Sequence, residues 1–158
     1  MQENNEPNVS IEEFHKELDL VQVCISRMAQ NSFMIKGWAF AIVVAFFALT
    51  SESLDLYVFC AVGIFILLVF WCLDAFFLKM EKLYRFKYEW VIEERPKGNR
   101  EYLYDLNPYQ SKTWKIGKNA PSVISAMFSK PHTLLMFYGS PIFIGTVAII
   151  LRATNIWG

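Results

Sequence analysis

The sequence predicts an all-α membrane protein: a transmembrane helical hairpin with long cytoplasmic helices, followed by a third transmembrane helix. Apolar residues make up 54% of the 158-residue chain, an excess over the soluble average that has to be placed somewhere. They gather in three runs and do not recur at one period along the whole chain, so lipid is a better destination than a single soluble core. Basic residues flank these runs asymmetrically, as they do in multi-span proteins. Four segments follow: a cytoplasmic amphipathic helix (residues 1–33), the transmembrane hairpin (34–78), a cytoplasmic helix and connector (79–131), and a third span with a short outer tail (132–158).

The first helix is expected to start at Ser10, because Ser10 and Glu13 have the spacing of a capping box. Its residues Ile11, Phe14, Leu18, Val21, Ile25 and Met28 alternate by three and four, the seam of about three heptads. Such a face needs a partner. The chain's own cytoplasmic helix, a second protomer in a homo-oligomer, and the membrane surface are the three candidates.

The first span is read over residues 34–49, interrupted only by Lys36 near its start, where a long side chain can reach the interface. A polar acidic turn (51–55) leads to a second apolar run over 56–73 that continues through 75–78. It exceeds the roughly 20 residues a helix needs to cross the hydrocarbon layer. Beyond it, residues 79–94 contain no Gly or Pro, which predicts one long helix broken by Pro96 and Gly98. Met80, Leu83, Tyr84, Tyr88 and Val91 form an apolar stripe on it suited to pack on the N-terminal helix. Most of its charges, Lys79, Glu81, Lys82, Arg85, Lys87, Glu89, Glu93 and Glu94, are expected to be solvated.

Residues 95–131 turn to Gly, Pro, Asn and Ser and read as a connector, with enough apolar residues in 122–129 for one or two helical turns. The third span is read over 133–151. Arg27 and Lys36 precede the first span, Lys79, Lys82, Arg85 and Lys87 follow the second, and Lys112, Lys115, Lys118 and Lys130 precede the third. The hairpin turn has no basic residue. An inside N-terminus and an outside C-terminus follow, with Trp38 and Trp71 as inner and Trp157 as outer interface anchors.

The charge balance, 15 basic against 15 acidic residues, gives no argument for nucleic acid as a partner. Cys24, Cys60 and Cys72, with His15 and His132, lack metal-ligand spacing, so neither metal nor cofactor is expected. Cys60 and Cys72 read as small buried hydrophobes. Asp74 stands out as a carboxylate in an apolar run, at a depth Lys36 can reach, and the two form a candidate pair that either sets hairpin register or gates the membrane. Gly139, Pro141 and Gly145 predict a kinked, closely packed third span, either a tolerated bend or a moving, pore-lining segment. Tyr102, Tyr104 and Trp114 with Lys112, Lys115 and Lys118 are ligand candidates, since aromatics stack on bases while lysines meet phosphates. Their basic residues equally suit anionic lipid. No catalytic constellation assembles from the sequence, so an enzyme is not expected.

The stretch Ser-Arg-Met-Ala-Gln-Asn-Ser (26–32) enters the first span at Lys36, Gly37 and Trp38. Phe-Trp-Cys-Leu-Asp-Ala-Phe-Phe-Leu (70–78) leaves the second before Glu81, Lys82, Leu83, Tyr84 and Arg85. This plan resembles small bacterial membrane proteins and is similar to the short transmembrane effectors of anti-phage defence systems. The resemblance covers roughly residues 10–94 and not the connector or third span. It implies a non-enzymatic, multi-pass effector of the bacterial inner membrane that self-associates and permeabilises or disturbs the membrane. The implied partners are membrane lipid, further copies of the chain, and a cytoplasmic protein or nucleotide as trigger. The competing expectation is a membrane-anchoring or regulatory subunit of a larger complex.

Overall fold

The computed structural model describes residues 9–50, 55–113, 121–128 and 133–154. Every regular element among the described residues is helical. Helix α1 (Ile11–Thr50) starts at the capping box: the Glu13 N–H donates to Ser10 Oγ at 3.1 Å, and the Ser10 N–H donates to Glu13 Oε2 at 3.0 Å. Two donors that a helix start leaves without partners are thereby satisfied. Asp55 plays the same part for α2 (Leu56–Glu94), accepting the Tyr57 N–H at 2.8 Å. At 40 and 39 residues, and about 1.5 Å of rise per residue, each helix is about 60 Å long, twice the ~30 Å hydrocarbon layer. Each therefore has to extend well past any membrane it crosses.

The end of α2 follows from Pro96 and Gly98. Arg95–Lys97 form a 3₁₀ turn, and Gly98 takes φ 82°, a left-handed conformation that costs glycine nothing. Its N–H closes the turn on the Arg95 carbonyl at 3.0 Å. Ser111–Thr113 make another 3₁₀ turn, and α3 (Val123–Met127) is capped by Ser122, which accepts the Ser125 N–H at 2.9 Å. The last helix opens with a π-helical turn (Leu135–Gly139) that runs directly into α4 (Ser140–Ala153). The irregularity expected at Pro141 thus takes the form of a widened turn just before it. Proline has no N–H for the preceding turn, and Ser140 Oγ donates to the Met136 carbonyl at 2.7 Å.

Among the described residues, three helices are long and apolar enough to cross a membrane: Ile11–Leu49, Leu56–Lys97 and Leu135–Ala153. At most 11% of each apolar window is buried within the chain, so side chains such as Phe40, Phe65 and Phe143 stay exposed on its surface, as suits a membrane-spanning helix. The turn residues Ser51, Glu52, Ser53 and Leu54 lie outside the described residues, as do Lys130, His132 and Trp157.

The chain forms two compact units. One comprises the described residues of Met1–Ala29 and Leu78–Pro121, the other those of Gln30–Phe77 and Ser122–Gly158. In the first, Val21, Ile25, Leu83 and Val91 form the buried apolar core. Phe14, Leu18 and Met28 are half-buried and Ile11 is 71% exposed, so the chain itself covers the centre of the heptad seam. In the second, Ala39, Leu67, Trp71, Ala75, Leu134 and Tyr138 are buried.

Three expectations are corrected. Trp71 is not an interfacial anchor: it stacks on Tyr138 at 6.4 Å and 13° and meets Phe128 edge-on at 5.6 Å, whereas Trp38 is exposed. Cys72 is exposed and Cys60 half-buried, because only one stripe of α2 faces protein. A Cβ on Gly139 would meet Leu135 of its own helix at 3.2 Å, so that glycine relieves crowding within the π turn. Gly145 is the one that faces another helix, its Cβ position lying 3.5 Å from the Ile64 side chain of α2.

Candidate functional site

In the second unit, side chains from all three membrane-crossing helices converge on Asp74. Ser32 and Lys36, four residues apart, share one face of α1. Asp74 follows Trp71 by three on the buried stripe of α2, and Tyr138 comes from the π turn. Lys36 Nζ lies 2.6 Å from Asp74 Oδ2 and donates to Ser32 Oγ at 2.9 Å. The Ser32 hydroxyl donates to Asp74 Oδ1, and the Tyr138 hydroxyl to Asp74 Oδ2 at 3.2 Å. Asp74 and Tyr138 are fully buried, while the Lys36 side chain stays 25% exposed. An ionised carboxylate among apolar spans is tolerable only when paired and hydrogen-bonded, and all three donors serve that end. The stack of Trp71 on Tyr138 fixes the ring that carries one of them.

A second polar cluster, which the sequence reading missed, holds the first unit together. Arg95, 2% exposed, pairs with the fully buried Glu17 through Nε to Oε2 at 2.6 Å and Nη2 to Oε1 at 2.8 Å. Its Nη1 donates to the carbonyls of Asn99 at 2.5 Å and Glu101 at 3.0 Å, and its guanidinium lies 4.9 Å from the Trp90 ring centre. The Tyr104 N–H also donates to Glu17, at 3.3 Å. One planar fork therefore ties α1 to the end of α2 and to the loop beyond it. Nearby, Arg100 pairs with Glu13 at 3.0 Å and, more than the Ser10 bond, holds the Glu13 carboxyl below its ordinary range.

Lys87 is an exception among the charges of α2, most of which are expected to be solvated. Far from solvated, it is fully buried between Leu83 and Val91, four residues to either side on the same stripe. Its ammonium donates to the Asn107 carbonyl at 3.4 Å. Burial pushes its pKa down, and Asp105 and Glu17 partly oppose the shift.

Of the ligand candidates, Trp114, Lys115 and Lys118 lie outside the described residues. The structure brings Tyr102 and Lys112 together: the ammonium is 5.8 Å from the ring centre, but it is also held by Glu101 at 2.6 Å. Trp90 approaches the Tyr102 ring at 6.3 Å. Tyr104 pairs instead with Lys16, at 5.9 Å. Tyr102 and Tyr104 both have positive φ, 57° and 59°. That conformation strains a bulky side chain by ~1–3 kcal/mol and persists only where surroundings enforce it, which the Arg95 fork does here. Pro141 lines an apolar crevice of about 260 Å³ with Ala39, Phe40, Val43, Leu67 and Phe137.

Signals for the missed residues were present. Glu17 stands three after Phe14 and four before Val21; Arg95 stands four after Val91; both fall on stripes otherwise read from apolar residues alone. Ser32 stands one turn before Lys36. Tyr138 had no local signal. Comparison with protein-family models, with curated proteins and with solved structures finds no match to this chain, so its functional reading rests on the chemistry of these clusters.

Proposed function

We propose that this chain is a non-enzymatic effector of the bacterial inner membrane, with its N-terminus in the cytoplasm and its C-terminus outside. It responds to a cytoplasmic cue by rearranging its spans and permeabilising or disturbing the membrane, in the manner of anti-phage defence effectors. The observation that carries this is the buried Asp74 cluster, to which all three spans contribute. Ionisable groups at membrane depth are expensive, and an arrangement that depends on one carboxylate has few intermediate states between assembled and open. A carboxylate already accepting from Lys36, Ser32 and Tyr138 is poorly placed as a general base, which favours a conformational role over catalysis.

Self-association in this reading uses exposed apolar span faces, since Val21 and Ile25 are occupied within the chain. The cue, a protein or a nucleotide, acts on the first unit, which shares α1 and α2 with the spans. The test is induced expression with a membrane-potential dye, followed by planar-bilayer recording of the purified protein. Depolarisation with conductance supports the proposal.

A second reading, an anchoring or regulatory subunit, is favoured by the first unit's buried Glu17–Arg95 fork and its exposed Ile11, Val23 and Ile92. Such a surface is preorganised for a partner. A silent bilayer together with stoichiometric co-purification of one protein selects this reading and overturns the first.

A further inference from the structure

The environment of the Lys36 ammonium is that of a small bound cation. Its polar contacts among the described residues are three oxygens: Asp74 Oδ2 at 2.6 Å, Ser32 Oγ at 2.9 Å and the Ser32 carbonyl at 3.5 Å. The Tyr138 hydroxyl donates to the same carboxylate oxygen at 3.2 Å and holds it in place. One negative charge and two neutral oxygens surround one positive charge, so the site is balanced for a monovalent ion. A divalent ion would leave an uncompensated charge in an apolar bundle. No group of three metal-ligating His, Cys, Asp or Glu side chains occurs among the described residues, in keeping with a site that has only one carboxylate. The members differ in access. Asp74 and Tyr138 are sealed, and Trp71 stacks behind Tyr138, whereas Lys36 is a quarter exposed on a flexible stem that can swing toward an interface.

We infer that Ser32 and Asp74, with the Asp74 carboxylate held by Tyr138, form a binding site for a small monovalent cation, potassium, sodium or ammonium, in which the Lys36 ammonium is the tethered resident. A free cation enters when Lys36 leaves, and the carboxylate remains neutralised in either state. The tether gives the ammonium a high effective concentration, so in the intact chain the free ion competes only when it is abundant. The inference stands apart from the effector proposal, because it concerns ion binding in purified protein and needs no membrane activity.

The experiment is thermal unfolding of the detergent-purified full chain as Lys36→Met and as Lys36→Gln, each titrated with potassium, sodium or ammonium chloride and, at matched ionic strength, with choline chloride. Choline carries the same charge but its methylated nitrogen has no N–H to donate and cannot approach the oxygens as closely. Above the dissociation constant, each tenfold rise in a small cation should raise the melting temperature by about 4 °C, choline should not, and adding Asp74→Asn should abolish the response. The unsubstituted chain should respond far less than either variant. Equal responses to small cations and to choline, no response to any of them, or persistence of the response with Asp74→Asn overturns the inference. Where neither variant extracts as a monodisperse helical protein, the extraction is repeated in ammonium chloride and in choline chloride. Recovery in ammonium alone supports the site, and recovery in neither or equally in both overturns it.

Discussion

Removing the Arg95 guanidinium should release the loop beyond α2 while leaving the spans in place. Arg95→Ala deprives Glu17 of both arms of a bidentate pair, 2.6 and 2.8 Å long, and takes a charged donor from the Asn99 and Glu101 carbonyls. Glu17 is fully buried and, among the described residues, keeps one hydrogen bond, from the Tyr104 N–H at 3.3 Å, with the Lys87 charge as a weaker compensation. Breaking a buried pair from one side typically costs 3–5 kcal/mol, because the remaining charge is left without compensation; at about 3 kcal/mol the loop opens roughly 150-fold more often. The strain held in Tyr102 and Tyr104, with φ 57° and 59°, acts in the same direction once the fork is gone.

Amide hydrogen exchange resolves this locally. In Arg95→Ala, amides of residues 99–105 and of α1 around Glu17 should exchange on the order of 100-fold faster, while those around Asp74 should change little. The double variant Glu17→Met with Arg95→Met removes both charges and should recover much of the loss, since the pair's desolvation penalty disappears with it. Unchanged exchange in 99–105 for Arg95→Ala would falsify the assignment of the fork as the loop's clasp. A double variant as damaged as the sum of its parts would show that packing, not charge, dominates.

The Asp74 cluster should respond asymmetrically: Lys36→Met strands a sealed carboxylate and should destabilise by about 3 kcal/mol in low-salt choline buffer, whereas Asp74→Asn leaves a lysine that can reach solvent and should lose nearer ~1 kcal/mol. Detergent melting curves test the order, and the reverse order refutes the burial argument. Lys87 should make the first unit's stability depend on alkaline pH. Its folded pKa is lowered from 10.5 by burial, so the folded state binds fewer protons between the lowered value and 10.5, and stability rises with pH across that window. Hydrogen exchange, corrected for its intrinsic pH dependence, should show the gain in the native chain and not in Lys87→Met; equal profiles reject it. Gly145→Ala should be tolerated, because its new methyl would sit 3.5 Å from Ile64, whereas Gly145→Phe should part α4 from α2 and lower the melting temperature. Equal melting of the two variants would refute that contact.

Much of the fold was legible because it is written locally. The three runs, the Ser10 and Glu13 cap, and the stop at Pro96 and Gly98 depend on residues within a few positions of each other, and short-range sterics and hydrogen bonding determine them. Periodicity likewise marked the faces carrying Val21, Ile25, Leu83 and Val91 as core. The Lys36 and Asp74 contact could be anticipated because a hairpin of two straight helices makes depth a function of residue count.

What tertiary structure alone decided is how each polar group is satisfied. Glu17 and Arg95 are 78 positions apart, Asp74 and Tyr138 are 64 apart, and no local rule joins them. Reading most charges of α2 as solvated did not single out Lys87 as buried, although it shares a register with Leu83 and Val91. Sequence alone determined the long helices and the apolar stripes by which the first unit packs. The partner of a buried charge is chosen only when those faces meet, because desolvation tolerates a charge wherever the opposing helix or loop supplies its complement.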